Sequence, residues 1–233
     1  LATSSAASDV YKRQGKNIFI QGSPVLKQLN GIFIGRLSGI VAHHVPKYLQ
    51  ARNLPTMKTN SIDDWESKID AICEETRDKD LRVIGGIPSW VQMYLERLLH
   101  NKKEKKVINL FKNLSLFVYG GVNFEPYKRI FLKLIGRKIN TIEYYPASEG
   151  FFAYQNDQND SSLLLQYNSE IFYEFVEVDQ IEKKHPNRLN LSQVVLNKNY
   201  VMIISSNAGL WAYNTGDTVM FKSINPPKII VTG

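Results

Sequence analysis

Between residues 81 and 145 the chain alternates two hydrophobic periods, and few folds accommodate that. "LRVIGG" (81–86) is a short apolar run that ends in glycine. "PSWVQMYLERLLH" (88–100) follows, with Val91, Tyr94, Leu95 and Leu98 on one helical stripe and Pro88 where a missing N–H costs little. The unit then repeats: "LSLFVYGG" (114–121), "EPYKRIFLKLIG" (125–136) with Gly136 as a C-terminal cap, and "NTIEYY" (140–145). Strands alternating with helices of this length predict βαβ units and a mainly parallel sheet. In such sheets ligands bind beyond the carboxyl ends of the strands, where Gly85-Gly86, Gly120-Gly121 and the 146–150 turn all fall.

Upstream, "NIFI" (17–20) reads as a strand, and "SIDDWESKIDAICEET" (61–76) as a helix. Ser61 is the expected N-cap with Asp64 three residues on, and Ile62, Trp65, Ile69 and Ile72 form its apolar face. After residue 150 the character changes. "GFFAYQ", "SSLLLQYN", "IFYEFVEVD", "QVVLNKNYVMIISS", "GDTVMF" and "KIIVTG" are short β-rich runs separated by Asn, Asp, Gly and Pro. They predict an antiparallel sheet or barrel-like subdomain. The expected fold class is α/β, with a layered βαβ part at 16–150 followed by a β-rich, barrel-like part at 151–233.

Composition narrows the function classes. The chain has 233 residues, 43% hydrophobic and 22% charged, which is ordinary for a globular domain. One cysteine, Cys73, excludes an intramolecular disulfide and points to a reducing, cytoplasmic setting. No apolar run reaches the roughly 18 residues of a membrane span. The formal charge of +7 is compatible with a polyphosphate ligand. Its densest cluster, "NKKEKK" (101–106), reads as a solvated helix end, and no aromatic-interleaved basic motif or zinc spacing points to nucleic acid. His43 and His44 have no partner at ligand spacing, Cys73 adjoins an apolar face, and Trp65, Trp90 and Trp211 read as core. "QNDQND" (155–160) reads as a polar loop, not a calcium loop.

Three stretches carry residue types suited to nucleotide chemistry. In "YYPASEG" (144–150), Ser148 can donate to a phosphate oxygen, and Glu149 can hold Mg²⁺, which prefers hard oxygen ligands and bridges phosphates. A Ser-Glu pair in a turn is also an ordinary cap. In "GLWAYNTGDTVMF" (209–221), Asp217 can accept from the vicinal hydroxyls of a ribose, or it can simply belong to a Thr-Gly-Asp turn. In "VYGGVNFEPYK" (118–128), Gly120 and Gly121 let backbone approach a planar ligand, or form a plain β-to-α turn.

Taken in order, strand–Gly-Gly, Tyr-x-Ala-Ser-Glu-Gly and Tyr-x-x-Gly-Asp, these stretches resemble the adenylate-forming superfamily. With "WESKID", "GGIPSWV", "IFYEFVEVD" and "SNAGLWAYNTGDTVMF", the chain over about 16–233 is most similar to the auxin-responsive-promoter family of acyl-acid amido synthetases, in its bacterial branch. The resemblance implies the central portion of the large N-terminal domain of an ATP- and Mg²⁺-dependent ligase. Such an enzyme activates a small-molecule carboxylic acid as its adenylate and passes the acyl group to an amine or amino acid. It further implies that Tyr145 and Ala147 line the adenine side, Ser148 contacts the α-phosphate, Glu149 holds Mg²⁺ and Asp217 binds the ribose. Gly120, Gly121 and Val122 form the opposite wall, and Phe124 and Phe151 are candidates for the acyl pocket.

Ala212 and Asn214 depart from the family pattern, where arginine is common, and Pro146 stands where Asn, Gly or Ala is usual. The family's Ser/Thr/Gly-rich phosphate loop has no counterpart in 1–80, and its C-terminal lysine-bearing domain has none within the chain. The expectation is therefore an internal piece of a longer polypeptide that by itself neither makes adenylate nor holds ATP tightly. "LATSSAASDVYKRQ" (1–14) has no periodicity and is set aside, with Gly15, as a non-native leader. Two alternatives stay open: an acyl-CoA ligase-like member, and a binding module that keeps the fold without the chemistry.

Overall fold

The computed structural model describes residues 15–233; residues 1–14 of the leader lie outside them. The chain divides into two compact units at Thr141/Ile142.

The first unit is built as its periodicity dictates. Strands β1 (Lys16–Ile20), β4 (Asn53–Leu54), β5 (Leu81–Gly86) and β6 (Leu116–Gly120) form a parallel sheet in the order β4-β1-β5-β6, and β2 (Lys27–Leu29) and β3 (Ile32–Ile34) form a separate hairpin. Its longer helices are α1 (Leu37–His44), α2 (Trp65–Glu75), α3 (Pro88–Lys102) and α4 (Lys128–Ile135). Pro88 opens α3, and Val91, Tyr94, Leu95 and Leu98 are all buried. Gly136 ends α4 at φ +90°, the left-handed C-terminal cap expected of glycine. The core collects Ile18, Ile20, Ile72, Leu81, Ile84, Leu95 and Phe117, with Phe124 and Phe131 packed around Phe117.

One cap differs from expectation. The helix starts at Trp65 with Asp64 as its N-cap, whose carboxylate accepts from Ser67 N at 2.8 Å. Ser61 instead closes the preceding turn, its hydroxyl donating to Met57 O at 2.7 Å. A hydroxyl already committed there cannot serve the next helix. Asp64→Ala should therefore lower the melting temperature of the first unit, while Ser61→Ala leaves α2 intact. Thermal denaturation followed by circular dichroism checks both.

The second unit is an antiparallel sheet. Its strands are β7 (Asn140–Ala147), β8 (Gly150–Tyr154), β9 (Leu163–Leu165), β10 (Ile171–Glu177), β11 (Asn199–Ser206), β12 (Tyr213–Ile224) and β13 (Pro227–Val231). Their order is β7-β8-β9-β13-β12-β11-β10, so they do not close on themselves into a barrel. Alternation along the strands buries Phe152, Leu165, Phe175, Tyr200, Met202, Val219 and Phe221 on one side.

Other readings resolve as follows. Cys73 is buried beside Ile72, and burial pushes its thiol up to about 12, so it packs and does not react. Trp65 and Trp90 pack on the core with ring centroids 5.1 Å apart. Trp211 does not: it is 84% exposed, because it sits in the β11–β12 connection, outside the alternation of either strand. The 155–160 stretch is a polar loop with a structural anchor. Asp160 accepts from Lys228 Nζ at 2.7 Å and from Ser162 Oγ at 2.6 Å, and these bonds hold its carboxyl at about 2. The folded value lies below the unfolded one, so its contribution is full above about pH 4 and is lost as pH falls toward 2. Asp160→Asn should lower stability at neutral pH and bring the variant level with the parent near pH 2. Melting curves across pH 2–6 check this.

Candidate functional site

The residues of "YYPASEG" form a β-hairpin. Ala147 pairs with Gly150, leaving Ser148 and Glu149 as a two-residue turn between β7 and β8. The register shifts between Tyr145 and Pro146, and that irregularity accommodates a proline with no N–H to give the ladder. Gly150 sits close to its neighbours: a Cβ there would meet Ile171 Cδ1 at 2.7 Å, so a larger residue would make that side chain shift. Ser148 is consequently exposed at the tip, and Glu149 is half-buried beside it.

Asp217 is not in a hairpin turn but inside the long strand β12. Opposite it the pairing slips between Val201 and Ile203, and Gly216 adopts φ +82° in the resulting bulge. Asn214 stabilises the bulge by accepting from Gly216 N at 2.9 Å, which gives this asparagine a local backbone role. Thr215 Oγ1 donates to Met202 O at 3.1 Å and accepts from Asp217 N at 3.3 Å.

Two tyrosines tie the hairpin to this strand. The hydroxyl of Tyr145, on β7, donates to Asp217 Oδ2 on β12. The hydroxyl of Tyr213, on β12, donates to Glu149 Oε1 in the turn at 3.3 Å. Tyr145 is 8% exposed, its ring edge-on to Phe152 at 5.1 Å. Burial, and then the Asp217 carboxylate, raise its phenol well above the ordinary value, so it is a fixed donor. Tyr145, Glu149 and Asp217 are thus brought together within the second unit, with Ser148 on the same turn. Tyr213 is a further member, given no role by the sequence pattern although it stands inside the Tyr-x-x-Gly-Asp motif.

The remaining candidates sit differently. Ala147 is half-buried at the end of β7. Phe151 is 46% exposed on β8, stacked at 6.3 Å from Tyr144. In the first unit, Gly120 is buried at the end of β6, Gly121 has φ +81° with open space where a Cβ would be, and Val122 is 42% exposed. Gly85 and Gly86 are explained by packing instead: Cβ atoms there would meet the Phe19 ring and Ile20 O, each at 2.6 Å. Phe124 is 5% exposed and packs on Phe117, Tyr119 and Phe131, which assigns it to the core.

Whether the residues suit ATP and Mg²⁺ can be judged from this donor set. No group of three or more His, Cys, Asp or Glu side chains capable of holding a metal occurs among the described residues. A lone half-exposed carboxylate at Glu149 does fit a Mg²⁺ shared with phosphate oxygens and water, the usual arrangement for this ion. The Oδ1 of Asp217 accepts no hydrogen bond from the described residues, which leaves it available to ribose hydroxyls. No helix among the described residues is long and apolar enough to cross a membrane.

Residues 164–233 match the model of the GH3 family central domain. That segment includes Tyr213 and Asp217 and excludes Ser148 and Glu149. A sequence search of curated proteins found no match. Among solved structures, the GH3.15 acyl acid amido synthetase aligns at TM-score 0.69 and 13% identity over 99% of this chain and 51% of its own. AtGH3.15 acyl acid amido synthetase in complex with 2,4-DB aligns at TM-score 0.72 and 15% identity, over 97% of this chain and 48% of its own. Apo MatB from Rhodopseudomonas palustris aligns at TM-score 0.50 and 13% identity, over 98% and 43%. The chain spans about half the length of the two amido synthetases, 51% and 48%. The chain thus shares the fold of about half of each of these acyl acid amido synthetases, and its residues 164–233 carry the sequence pattern of the GH3 family central domain.

Proposed function

We propose that this chain is part of a bacterial, cytoplasmic ATP-dependent ligase that adenylates a small carboxylic acid and transfers the acyl group to an amine, probe substrates being free amino acids. The observation that carries the proposal is the cluster in the second unit, where the Ser148–Glu149 turn and Asp217 are cross-tied through Tyr213 and Tyr145. The GH3 central-domain match over 164–233 supports the family assignment of the Asp217 side.

In this reading a carboxylate oxygen of the acid attacks the α-phosphorus, the new O–P bond forms, and the bond to the pyrophosphate oxygen breaks. An amine nitrogen then attacks the acyl carbon and AMP leaves. The difficulty is charge, because an anion approaches a polyanion. Bound Mg²⁺ would supply charge neutralisation. Ser148 donates to an α-phosphate oxygen from the exposed tip of the turn. Glu149 holds the cation, its carboxylate steadied by Tyr213. Asp217 takes the ribose hydroxyls, and Ala147 borders the adenine. Phe151, in the acyl pocket, is carried by the family resemblance.

The test is acid-dependent ATP–pyrophosphate exchange by the polypeptide that carries these residues, followed by amide formation with a panel of amino acids. Exchange that requires the acid supports the adenylation step. Thioester formation with coenzyme A and no amide would assign the acyl-CoA ligase-like alternative. A complete, folded polypeptide that carries these residues and shows no exchange would assign the binding module.

A further inference from the structure

The two tyrosine–carboxylate bonds run in opposite directions between the same pair of elements. The better buried of them bears on Asp217. Tyr145 is almost wholly enclosed, its ring is fixed edge-on against Phe152, and its hydroxyl is spent on Asp217 Oδ2. Asp217 itself stands in a bulge, on a backbone that Gly216 turns at φ +82° and that Thr215 and Asn214 hold by side-chain bonds. A bulge aims a side chain but does not stop it rotating about its own bonds. The only side-chain hydrogen bond on the Asp217 carboxylate among the described residues comes from Tyr145.

Building on the nucleotide reading given above, we propose that Tyr145 is a positioning residue that acts through its hydroxyl. It fixes the Asp217 carboxylate so that Oδ1 and the remaining lone pair of Oδ2 face the two ribose hydroxyls. The phenol stays the donor of this bond, because burial and the neighbouring carboxylate keep it protonated at working pH. A carboxylate already held at one oxygen loses less rotational freedom on accepting the diol, which is where preorganisation gains affinity.

The test separates the hydroxyl from the ring. Backbone amide shifts of the chain are titrated with AMP and with its 2′,3′-dideoxy analogue, at the millimolar concentrations that weak binding needs. The parent chain should prefer AMP by about tenfold, the value of a good hydrogen bond to a charged group. In Tyr145→Phe, which keeps the ring, that preference should fall below about threefold, approaching that of Asp217→Ala. A Tyr145→Phe chain that keeps the full preference overturns the proposal and leaves the nucleotide site standing. A parent chain that shows no preference for AMP overturns the nucleotide site, and the proposal with it. Should Tyr145→Phe not fold, the hydroxyl proton decides. A slowly exchanging Tyr145 resonance that is lost in Asp217→Ala supports the tie, and its absence from the parent overturns it.

Discussion

Replacing Glu149 by alanine is expected to lower acid-dependent ATP–pyrophosphate exchange by about 100- to 1,000-fold, the usual effect of removing a group that stabilises charge as the transition state forms. The expectation follows from position and chemistry. Glu149 is held at the turn by Tyr213 at 3.3 Å, and its carboxylate is a hard oxygen donor. Its loss should also raise the Mg²⁺ concentration needed for half-maximal exchange, which a structural role would not do. Stability should change by no more than about 0.5 kcal/mol, because the residue is half-exposed and its one bond is to an exposed tyrosine. Exchange that survives the substitution at unchanged Mg²⁺ demand would show that the cation is held elsewhere.

The second large effect is on folding. Phe117 is 1% exposed, and its ring lies 4.8 Å from Phe131, 5.2 Å from Phe124 and 5.3 Å from Tyr119. Truncation to alanine removes the centre of that aromatic group and leaves a cavity that helix and strand cannot both close around. The expected cost is about 3–5 kcal/mol for the first unit. Urea unfolding followed by tryptophan fluorescence measures it, since Trp65 and Trp90 pack on the same core. A cost below about 1 kcal/mol would mean that the group is looser than its geometry indicates.

How far the sequence foretold these features depends on the range of the interaction involved. The βαβ half was readable because each element announces itself locally. Pro88 marks the start of α3, Gly136 the end of α4, and Val91, Tyr94, Leu95 and Leu98 fall on one helical stripe. The N-cap of α2 was misread because Ser61 and Asp64 are both capping residues. Only the preceding turn, which claims the Ser61 hydroxyl, decides between them. Trp211 was expected in the core on residue type alone, yet a connection between strands has no buried face to offer it.

The glycine pairs make the same point. Gly85-Gly86 and Gly120-Gly121 are alike on paper, but the first pair is required by the packing of Phe19 and Ile20 against β5. Gly121 instead faces open space. The ties within the candidate site were beyond local reading altogether. Tyr145 and Asp217 are 72 residues apart, Glu149 and Tyr213 are 64 apart, and both bonds depend on the sheet register and on two irregularities in it. Motif order pointed to Ser148, Glu149 and Asp217, and the bulged strands explain how such distant residues meet.

The measurement that most directly tests the central claim is a backbone amide NMR titration of the chain with Mg·ATP and, separately, with Mg·GTP. The expected result is a weak, saturable response to ATP that exceeds the response to GTP and is concentrated at Tyr145, Ser148, Glu149, Tyr213 and Asp217. Equal responses to both nucleotides, or shifts that avoid the β7–β8 turn and the β12 bulge, would contradict the assignment of a nucleotide site there.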